Sequence, residues 1–255
     1  LGVVGFLDSY EELDRVRTKL AGRFESMFEA EGFKMVAWGD AGKTRLFSVK
    51  QIAKPSDVKS MRPWVWKDDL NFIEFYDVVG APGVRLGVPE VYPGLQTKMV
   101  DVVTSSALTA VALQWYTRVK YMTGHNLSII AGGVVMKKDK LDALPPDLQE
   151  IFYSTAKRVE TLLNASIRKD DKVAFDVVKK KGIIATDTMA HKAEWDAVSE
   201  KILDRMTGRV FSKDLVDAVR AAAAVRHDVP VVLLDFPRFL NDRPYLERKL
   251  AEAGL

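Results

Sequence analysis

The sequence contains no cysteine among its 255 residues. Disulfide bonds, thiolate nucleophiles and zinc–thiolate sites are therefore excluded, and an oxidising compartment is tolerated. The three histidines, His125, His191 and His227, lie far apart and share no spacing typical of metal ligands. A G-x-S-x-G nucleophile motif and an H-E-x-x-H zinc motif are also missing. We expect no catalytic residues, no cofactor and no bound metal.

Long apolar runs and a large excess of one charge are missing as well. No stretch of 18 apolar residues occurs, so no membrane-spanning helix is expected. The 38 basic and 35 acidic residues give a net charge of only +3. The densest basic run, Lys179–Lys181, closes a predicted helix, where the helix dipole accounts for it. We therefore expect no nucleic-acid partner.

The residues that are present predict an α/β protein. Apolar residues make up 47% of the chain and charged residues 29%, which is typical of a globular domain. Helices and strands alternate, which favours largely parallel sheets. Ser9 and Glu12 have capping-box spacing, and an unusually long helix is predicted over Pro146–Gly182. Another helix is predicted over Asp68–Val79, ending at Gly80, and Asp68 and Asp69 are interpreted as capping its start and not as acid–base catalysts.

One stretch, "EVYPGLQTKMVDVVTSS", combines a short helix with a run of small hydroxyl residues. Met99–Val103 predicts a buried strand, and Ala107–Arg118 predicts the next helix. The hydroxyls of Thr104, Ser105 and Ser106 lie between them. They are expected either to cap the helix or to line a ligand pocket at the end of the strand.

Residues 37–44, "AWGDAGKT", fit a relaxed phosphate-binding loop. Such a loop would make the chain a nucleotide-binding protein or an enzyme built on Gly42, Lys43 and Thr44. It requires a helix after its final Ser or Thr, whereas "RLFSVKQI" is typical of a strand. We therefore interpret "GDAGK" as a β-turn between the strands "FKMVAW" and "TRLFSV", and keep nucleotide binding as the alternative.

Four segments, in order, resemble the solute-binding protein of tripartite ATP-independent periplasmic (TRAP) transporters, the DctP-like family. "SDVKSM" is similar to the family's D-L-K-G-L turn, and "PEVYPGLQTKMVD" to its S-E-V-Y-x-A-L-Q-T-G-x-V-D signature. "RVKYMTGHN" resembles the V-x-K-Y-x-x-x-T-x-H segment, and "LPPDLQEIF" resembles the L-P-x-D-L-Q start of the family's long helix. The resemblance covers roughly residues 6–224.

The resemblance implies a periplasmic-binding-protein type II-like α/β fold with two lobes, mixed and mostly parallel sheets, hinge strands and a lobe-spanning helix. Residues 1–43 would belong to lobe 1, residues 44–136 to the ligand-facing lobe 2, residues 137–182 to the long helix and residues 183–224 to C-terminal helices. Residues 225–255 stay unassigned, although a strand and a helix near Asn241 are predicted there. The chain begins with Leu1, and the family's first ~90 residues, including two strands, are expected to be missing.

The resemblance also implies a function outside the cytoplasmic membrane. The chain would capture an organic acid or a more apolar solute and deliver it to the membrane permease subunits of a periplasmic transport system. A truncated fragment that does not bind is the alternative within the family. Because loss of two strands exposes sheet edges and core, such a fragment is expected to aggregate.

The family's carboxylate-binding positions differ in this chain. Trp64 stands where the family has the Arg of K-I-R, Thr44 stands at a second arginine position, and Ser105 replaces the Asn of Q-E-N-P. Arg45 and Arg62 are close in sequence to the lost arginines. Arg45 would face the opposite side of its strand, and Arg62 would lie about 6.6 Å earlier along its own strand.

Aromatic and apolar residues complete the predicted ligand-binding set. Trp64 and Trp66 alternate with Val65, so they are expected to share a face, either in the ligand cleft or in a lobe core. Val88, Tyr92 and Trp115 are the other candidates, Val88 because it stands where the family often has an aromatic residue. The family's two arginines are replaced here, and Trp64 and Trp66 are gained. Together these differences predict a pocket that is less selective for anions than those of most family members.

Overall fold

Local sequence signals set most element boundaries in residues 1–224, the part of the chain that the computed structural model describes. The α-helices are α1 (Tyr10–Ala30), α2 (Leu70–Val79), α3 (Val88–Gln96), α4 (Ala107–Ala112), α5 (Lys138–Asp142), α6 (Pro146–Lys180), α7 (Lys192–Met206) and α8 (Lys213–Ala224). The strands are β1 (Phe33–Ser48), β2 (Trp64–Val65), β3 (Val84–Arg85), β4 (Val102–Ser105), β5 (Tyr121–Thr123), β6 (Ser128–Lys137) and β7 (Ile184–Thr186). The strand and helix predicted within residues 225–255 lie outside the described residues.

The predicted helix caps are confirmed. At the start of α1, the Ser9 side chain accepts a hydrogen bond from the Glu12 N–H, and the Glu12 carboxylate accepts one from the Ser9 N–H. Asp69 caps α2, and Gly80 ends it in the left-handed conformation. The long helix α6 has 35 residues, which at about 1.5 Å each makes it roughly 50 Å long. No helix in residues 1–224 is both long and apolar enough to cross a membrane.

The prediction of a β-turn at "GDAGK" is wrong, because β1 runs without a turn from Phe33 to Ser48. It pairs with β6 in antiparallel register, and a bulge between Asp40 and Gly42 absorbs the irregularity. Gly42 has φ = 105°, and a Cβ on it would lie 2.5 Å from the Ser106 Cβ. A strand, not a helix, therefore follows Thr44, and the phosphate-binding-loop alternative is wrong as well.

Helix α6 holds β1 in its bulged conformation. Three of its side chains accept hydrogen bonds from N–H groups of β1: Glu160 from Trp38 at 2.8 Å, Asn164 from Asp40 at 2.9 Å and Asp171 from Lys43 at 3.0 Å. Buried N–H groups need such partners where a bulge interrupts a ladder. The contacts with α6 explain why this glycine-rich segment stays extended.

The sheet is mixed, as predicted, and β1 lies at its centre. The second half of β1 lies between β4 and β5, and β6 pairs with the rest, all in antiparallel register. The β2–β3 and β5–β7 ladders are parallel. The expectation of mostly parallel sheets needs correction at β1, which runs against every strand it contacts. Alternation of helices and strands does not fix the direction of one central strand.

Two hydrophobic clusters form on opposite faces of β1. Leu46 belongs to the cluster that contains Phe75 and Tyr76 of α2, whereas Phe47 belongs to the cluster that contains Trp64 and Trp115. Successive side chains of a strand point to opposite faces, so neighbouring residues enter different clusters. The alternation also decides which residues of β1 reach the candidate site.

Several apolar side chains of α6 and β6 lie exposed. In α6 they are Leu148, Ile151, Val159, Leu162 and Leu163, and in β6 they are Val134 and Val135. Leu162 is 67% exposed. Residues 1–223 form one compact unit. The predicted division of the chain at residues 43, 136 and 182 stays a prediction.

Candidate functional site

A pocket of about 190 Å³ lies where β1, β2 and β4 meet the starts of α2 and α3. Its walls come from Thr44, Trp64, Val65, Trp66, Asp69, Phe72, Val88, Thr104 and Ile130. Four of the seven predicted ligand-binding residues, Thr44, Trp64, Trp66 and Val88, therefore come together. Complete ligand pockets usually measure about 300–1,000 Å³, so this one suits a small solute or one end of a larger one.

Thr44 and Arg45 occupy opposite faces of β1, as strand alternation predicts. Thr44 lines the pocket and is only 1% exposed, and its Oγ1 has no hydrogen-bond partner within residues 1–224. Arg45 donates to the carbonyl oxygens of Thr123 at 3.2 Å and Gly124 at 2.6 Å. Burial lowers the pKa of Arg45, and nearby Asp171 opposes that shift. Arg45 is thus held away from the pocket.

The three consecutive hydroxyl residues Thr104, Ser105 and Ser106 have three different roles in the structure. Strand β4 begins at Val102, three residues later than predicted, and includes Thr104 and Ser105. Thr104 pairs with Leu46 and lines the pocket, where its hydroxyl lies 2.6 Å from the Tyr76 hydroxyl. Ser105 pairs with Arg45, on the opposite face, and its hydroxyl donates to the Ser106 carbonyl oxygen. Ser105 therefore lies outside this pocket.

Ser106 is the helix cap in this run. Its side chain accepts a hydrogen bond from the Thr109 N–H at 3.2 Å, and it is fully buried. The predicted helix Ala107–Arg118 is shorter than expected: α4 ends at Ala112, and a separate 3₁₀ turn follows over Trp115–Arg118.

The Ser106→Ala variant is expected to lose about 1 kcal/mol of unfolding free energy, because the N–H groups at the start of α4 lose their cap. Ser105→Ala is the matched control. It loses one hydrogen bond to a neighbouring carbonyl and should cost less. Urea unfolding of both variants measures the difference, and an equal or larger loss in Ser105→Ala would contradict the assignment of the cap.

The two tryptophans of the pocket play different structural roles. Trp64 is 7% exposed, donates from Nε1 to the Leu86 carbonyl oxygen at 2.9 Å and packs edge-on against Trp115, with ring centroids 5.3 Å apart. Trp66 is 49% exposed. Trp64 is therefore part of a core and of the pocket wall, and Trp66 is free to cover a solute. Trp115 supports Trp64 from behind and does not line the pocket.

Val88 and Tyr92 both belong to α3, but only Val88 lines the pocket. Val88 is the first residue of the helix, is 41% exposed and lines the pocket. Tyr92 lies one turn later, and its hydroxyl accepts a hydrogen bond from Arg118 Nε at 3.0 Å. The Arg118 guanidinium also lies 5.0 Å from the centroid of the Tyr92 ring. Tyr92 joins α3 to the following turn, outside the pocket.

Asp69 is the charged residue that sequence reasoning assigned only to helix capping. Its Oδ1 accepts hydrogen bonds from the N–H groups of Asn71 and Phe72, at 3.1 and 3.2 Å. The residue also lines the pocket. Burial raises the pKa of the Asp69 carboxyl, and the two hydrogen bonds oppose that shift. Its place beside the helix start was visible in the sequence, but its contact with a pocket depends on tertiary packing.

The pocket wall within residues 1–224 contains no Lys, Arg or His. Arg62, the second candidate to replace the family's arginines, pairs with Asp101 instead, at 3.3 Å between Nη2 and Oδ2. Its backbone N–H also donates to Asp101 Oδ1 at 2.6 Å. Neither Arg45 nor Arg62 compensates for the lost arginines at the walls of this pocket.

A larger groove of about 720 Å³ runs between α1, the first half of β1 and α6. All of its cationic side chains already have acidic partners: Arg17 pairs with the buried Asp40, Lys34 with Glu29 and Lys157 with Glu160. Glu160 and Asn164 are also bonded to the backbone of β1. The small pocket is the better candidate site, because it has an exposed tryptophan and a buried hydroxyl that no other described residue bonds to.

Comparison with known proteins places the chain in a family. The family model of DctP, bacterial extracellular solute-binding protein, family 7, matches residues 6–209. The chain therefore belongs to this family. It is 24% identical over 210 residues to the 2,3-diketo-L-gulonate-binding periplasmic protein YiaO of Escherichia coli, covering 81% of this chain and 62% of that protein. It is 22% identical over 220 residues to the C4-dicarboxylate-binding periplasmic protein DctP of Vibrio cholerae, covering 85% and 64%.

Solved structures show the same fold. A TRAP periplasmic solute-binding protein from Ralstonia eutropha with bound (S)-2-acetolactate has a TM-score of 0.80 at 22% identity, over 88% of this chain and 73% of that one. One from Shewanella oneidensis with bound succinate has a TM-score of 0.79 at 19% identity, over 87% and 73%. The predicted periplasmic-binding-protein type II-like α/β fold is confirmed. The chain spans less than two thirds of the length of the two curated relatives.

Proposed function

We propose that the chain is the solute-binding component of a TRAP transporter. It captures a small solute outside the cytoplasmic membrane, releases it to the membrane permease and does not convert it chemically. Membership of a bacterial extracellular solute-binding family supports this role. Relatives named as periplasmic binding proteins for a diketo-gulonate and for C4-dicarboxylates support the periplasmic location.

The solute is a monocarboxylate with a substantial apolar part, or an uncharged molecule, and not a small dicarboxylate. The observation that carries this proposal is the pocket wall, to which residues 1–224 contribute no Lys, Arg or His. The resemblance to the family implies that two of its lining residues, Thr44 and Trp64, stand at the family's arginine positions. An arginine holds a carboxylate through two parallel hydrogen bonds, which neither threonine nor tryptophan can replace. A carboxylate that is buried without a partner pays a large desolvation cost.

The aromatic wall favours apolar solutes. Trp66 is half exposed, so a solute that covers it removes apolar surface of both partners from water. Burial of roughly 100 Å² of apolar surface contributes about 2.5 kcal/mol, enough for a fifty-fold or greater gain in affinity. Val88 and Ile130, also partly exposed at the pocket, extend this apolar wall.

Titration of the purified chain with tryptophan fluorescence as the readout tests the proposal. We expect apolar monocarboxylates or neutral solutes to bind at least about tenfold more tightly than succinate. Arg62→Ala should leave every affinity unchanged, because Arg62 pairs with Asp101. Trp66→Phe should remove much of the fluorescence change that accompanies solute binding. Micromolar binding of succinate that Arg62→Ala abolishes would overturn this view of the pocket.

The natural solute can be identified directly. Small molecules released by denaturing the freshly purified protein are to be measured by mass spectrometry, with Trp66→Ala as a variant of reduced affinity. A compound present with the parent and depleted with the variant is the expected result. A released small dicarboxylate that is retained equally by both would contradict the proposed solute class.

A further inference from the structure

The two oxygens of Asp69 differ in their hydrogen bonding. Oδ1 caps α2 through the N–H groups of Asn71 and Phe72. Oδ2 has no hydrogen-bond partner within residues 1–224, while the residue lines the pocket and is only partly buried. A carboxylate oxygen is a strong acceptor that seeks water or a donor. When a solute displaces pocket water, this oxygen needs a donor from the solute.

Thr44 provides a second, independent sign of a polar ligand group. Its hydroxyl is buried, lines the same pocket and lacks a partner among the described residues. A buried polar atom without a partner is rare in folded proteins and calls for a ligand or an ordered water. A hydroxyl donates and accepts, so it can accept from the same donor group that Asp69 binds.

The charge around these two atoms decides which polar group fits. A carboxylate would meet the Asp69 charge without a Lys, Arg or His on the described wall to balance it. An ammonium would find a carboxylate and two tryptophan side chains, Trp64 and Trp66, which attract cations through their ring electrons. An alcohol would satisfy the acceptor without a charge. Burial, which raises the pKa of the Asp69 carboxyl, also leaves its charged form short of solvent partners.

We infer that the polar end of the solute is a hydrogen-bond donor, an alcohol or an ammonium, received by Asp69 Oδ2 and Thr44 Oγ1, and that Asp69 excludes a carboxylate from this end. This inference rests on the proposed solute-binding function and specifies the chemical group at the polar end of the solute. An apolar acid can bind only with its carboxylate turned away from Asp69. Asp69 is thus both the cap of α2 and the specificity-determining residue of the pocket.

Three probes of similar size, benzylammonium, benzyl alcohol and benzoate, test the inference by isothermal titration of the full chain at pH 7. The parent should bind the first two at least about tenfold more tightly than benzoate. Asp69→Asn keeps a good helix cap but loses the charge, so it should fold normally. Asp69→Asn is expected to bind benzylammonium at least about tenfold more weakly than the parent, and to bind benzoate more tightly. Thr44→Val should weaken benzyl alcohol more than the two ions.

Asp68→Asn is the matched control, since it changes the net charge equally at an exposed neighbouring residue outside the pocket. It should leave the order of the three affinities unchanged. The inference would be overturned if the parent bound benzoate most tightly, or if the three probe affinities had the same order in the parent and in Asp69→Asn. Either result would leave solute binding itself intact. Failure of all three probes and of every solute in the fluorescence titration would overturn the proposed function as well.

Discussion

Replacement of Asp40 by alanine is expected to lower the unfolding free energy by about 3–5 kcal/mol, because it leaves a buried arginine without its counter-charge. The Asp40 side chain is completely buried in β1. Its Oδ1 accepts from Arg17 Nη1 at 2.7 Å, and its Oδ2 accepts from Arg168 Nε at 2.6 Å. The Arg17 side chain is 8% exposed, so water cannot take the place of the lost carboxylate.

The control for this prediction is Asp14→Ala, which removes a second partner of Arg168. Asp14 accepts two hydrogen bonds from that arginine, at 2.6 and 2.7 Å, but its side chain is 49% exposed. Exposed ion pairs contribute about 0–1 kcal/mol, so Asp14→Ala should be mild. Urea unfolding followed by circular dichroism measures both variants. Similar losses in the two would contradict the importance assigned to burial of Asp40.

A loss of this size matters for the fold, since small proteins have only about 5–15 kcal/mol of stability in total. Asp40 joins three elements: its own strand, α1 through Arg17 and α6 through Arg168. It also stands at the bulge of β1, four residues before Thr44. Loss of the network is therefore expected to disturb the strand that carries the pocket hydroxyl.

Local signals explain how much of the fold could be predicted. Ser9 with Glu12, and Asp69 with Gly80, set the ends of their helices through contacts within a few residues, so the sequence predicts them. The extended "GDAGK" segment could not be predicted in the same way. Its N–H groups are satisfied by side chains 122 to 128 residues away, and only the folded chain brings these together.

The candidate site was predictable to a similar degree. The resemblance to the family directed attention to Thr44, Trp64, Trp66 and Val88, and they line one pocket. Ser105 was also predicted to contact the solute, but it lies outside the pocket. The register of β4 on β1 places its side chain on the same face as Arg45, and a shift of one residue would place it on the other face. Asp69 was missed as a pocket residue because helix capping already explained a carboxylate at that position. Its contact with the pocket depends on tertiary packing, in which Phe72 of α2 shares a hydrophobic cluster with Leu46 of β1 and Val65 of β2.

The Asp171→Ala variant is expected to lose about 2–4 kcal/mol of unfolding free energy, because two partly buried N–H groups lose their acceptor at once. Asp171 is 5% exposed in α6, and it accepts from the N–H of Lys43 in β1 and from that of Leu108 in α4, each at 3.0 Å. Its exposed neighbour Asp170 has one hydrogen-bond partner in the described part of the chain, Ser166 at 3.1 Å, so Asp170→Ala should cost under about 0.5 kcal/mol.

Asp171 also connects stability to solute binding. It fixes the end of the β1 bulge next to Thr44 and the start of α4 at the same time, so its loss should loosen the strand that presents the Thr44 hydroxyl to the pocket. Asp171→Asn keeps one acceptor oxygen and is expected to lie between the parent and the alanine variant in urea unfolding. Affinity for a neutral or ammonium-bearing probe, measured under conditions where every variant stays folded, should fall in the same order. An alanine variant as stable as Asp170→Ala, or one that binds the probe with unchanged affinity, would show that α6 does not set the geometry of the pocket through this residue.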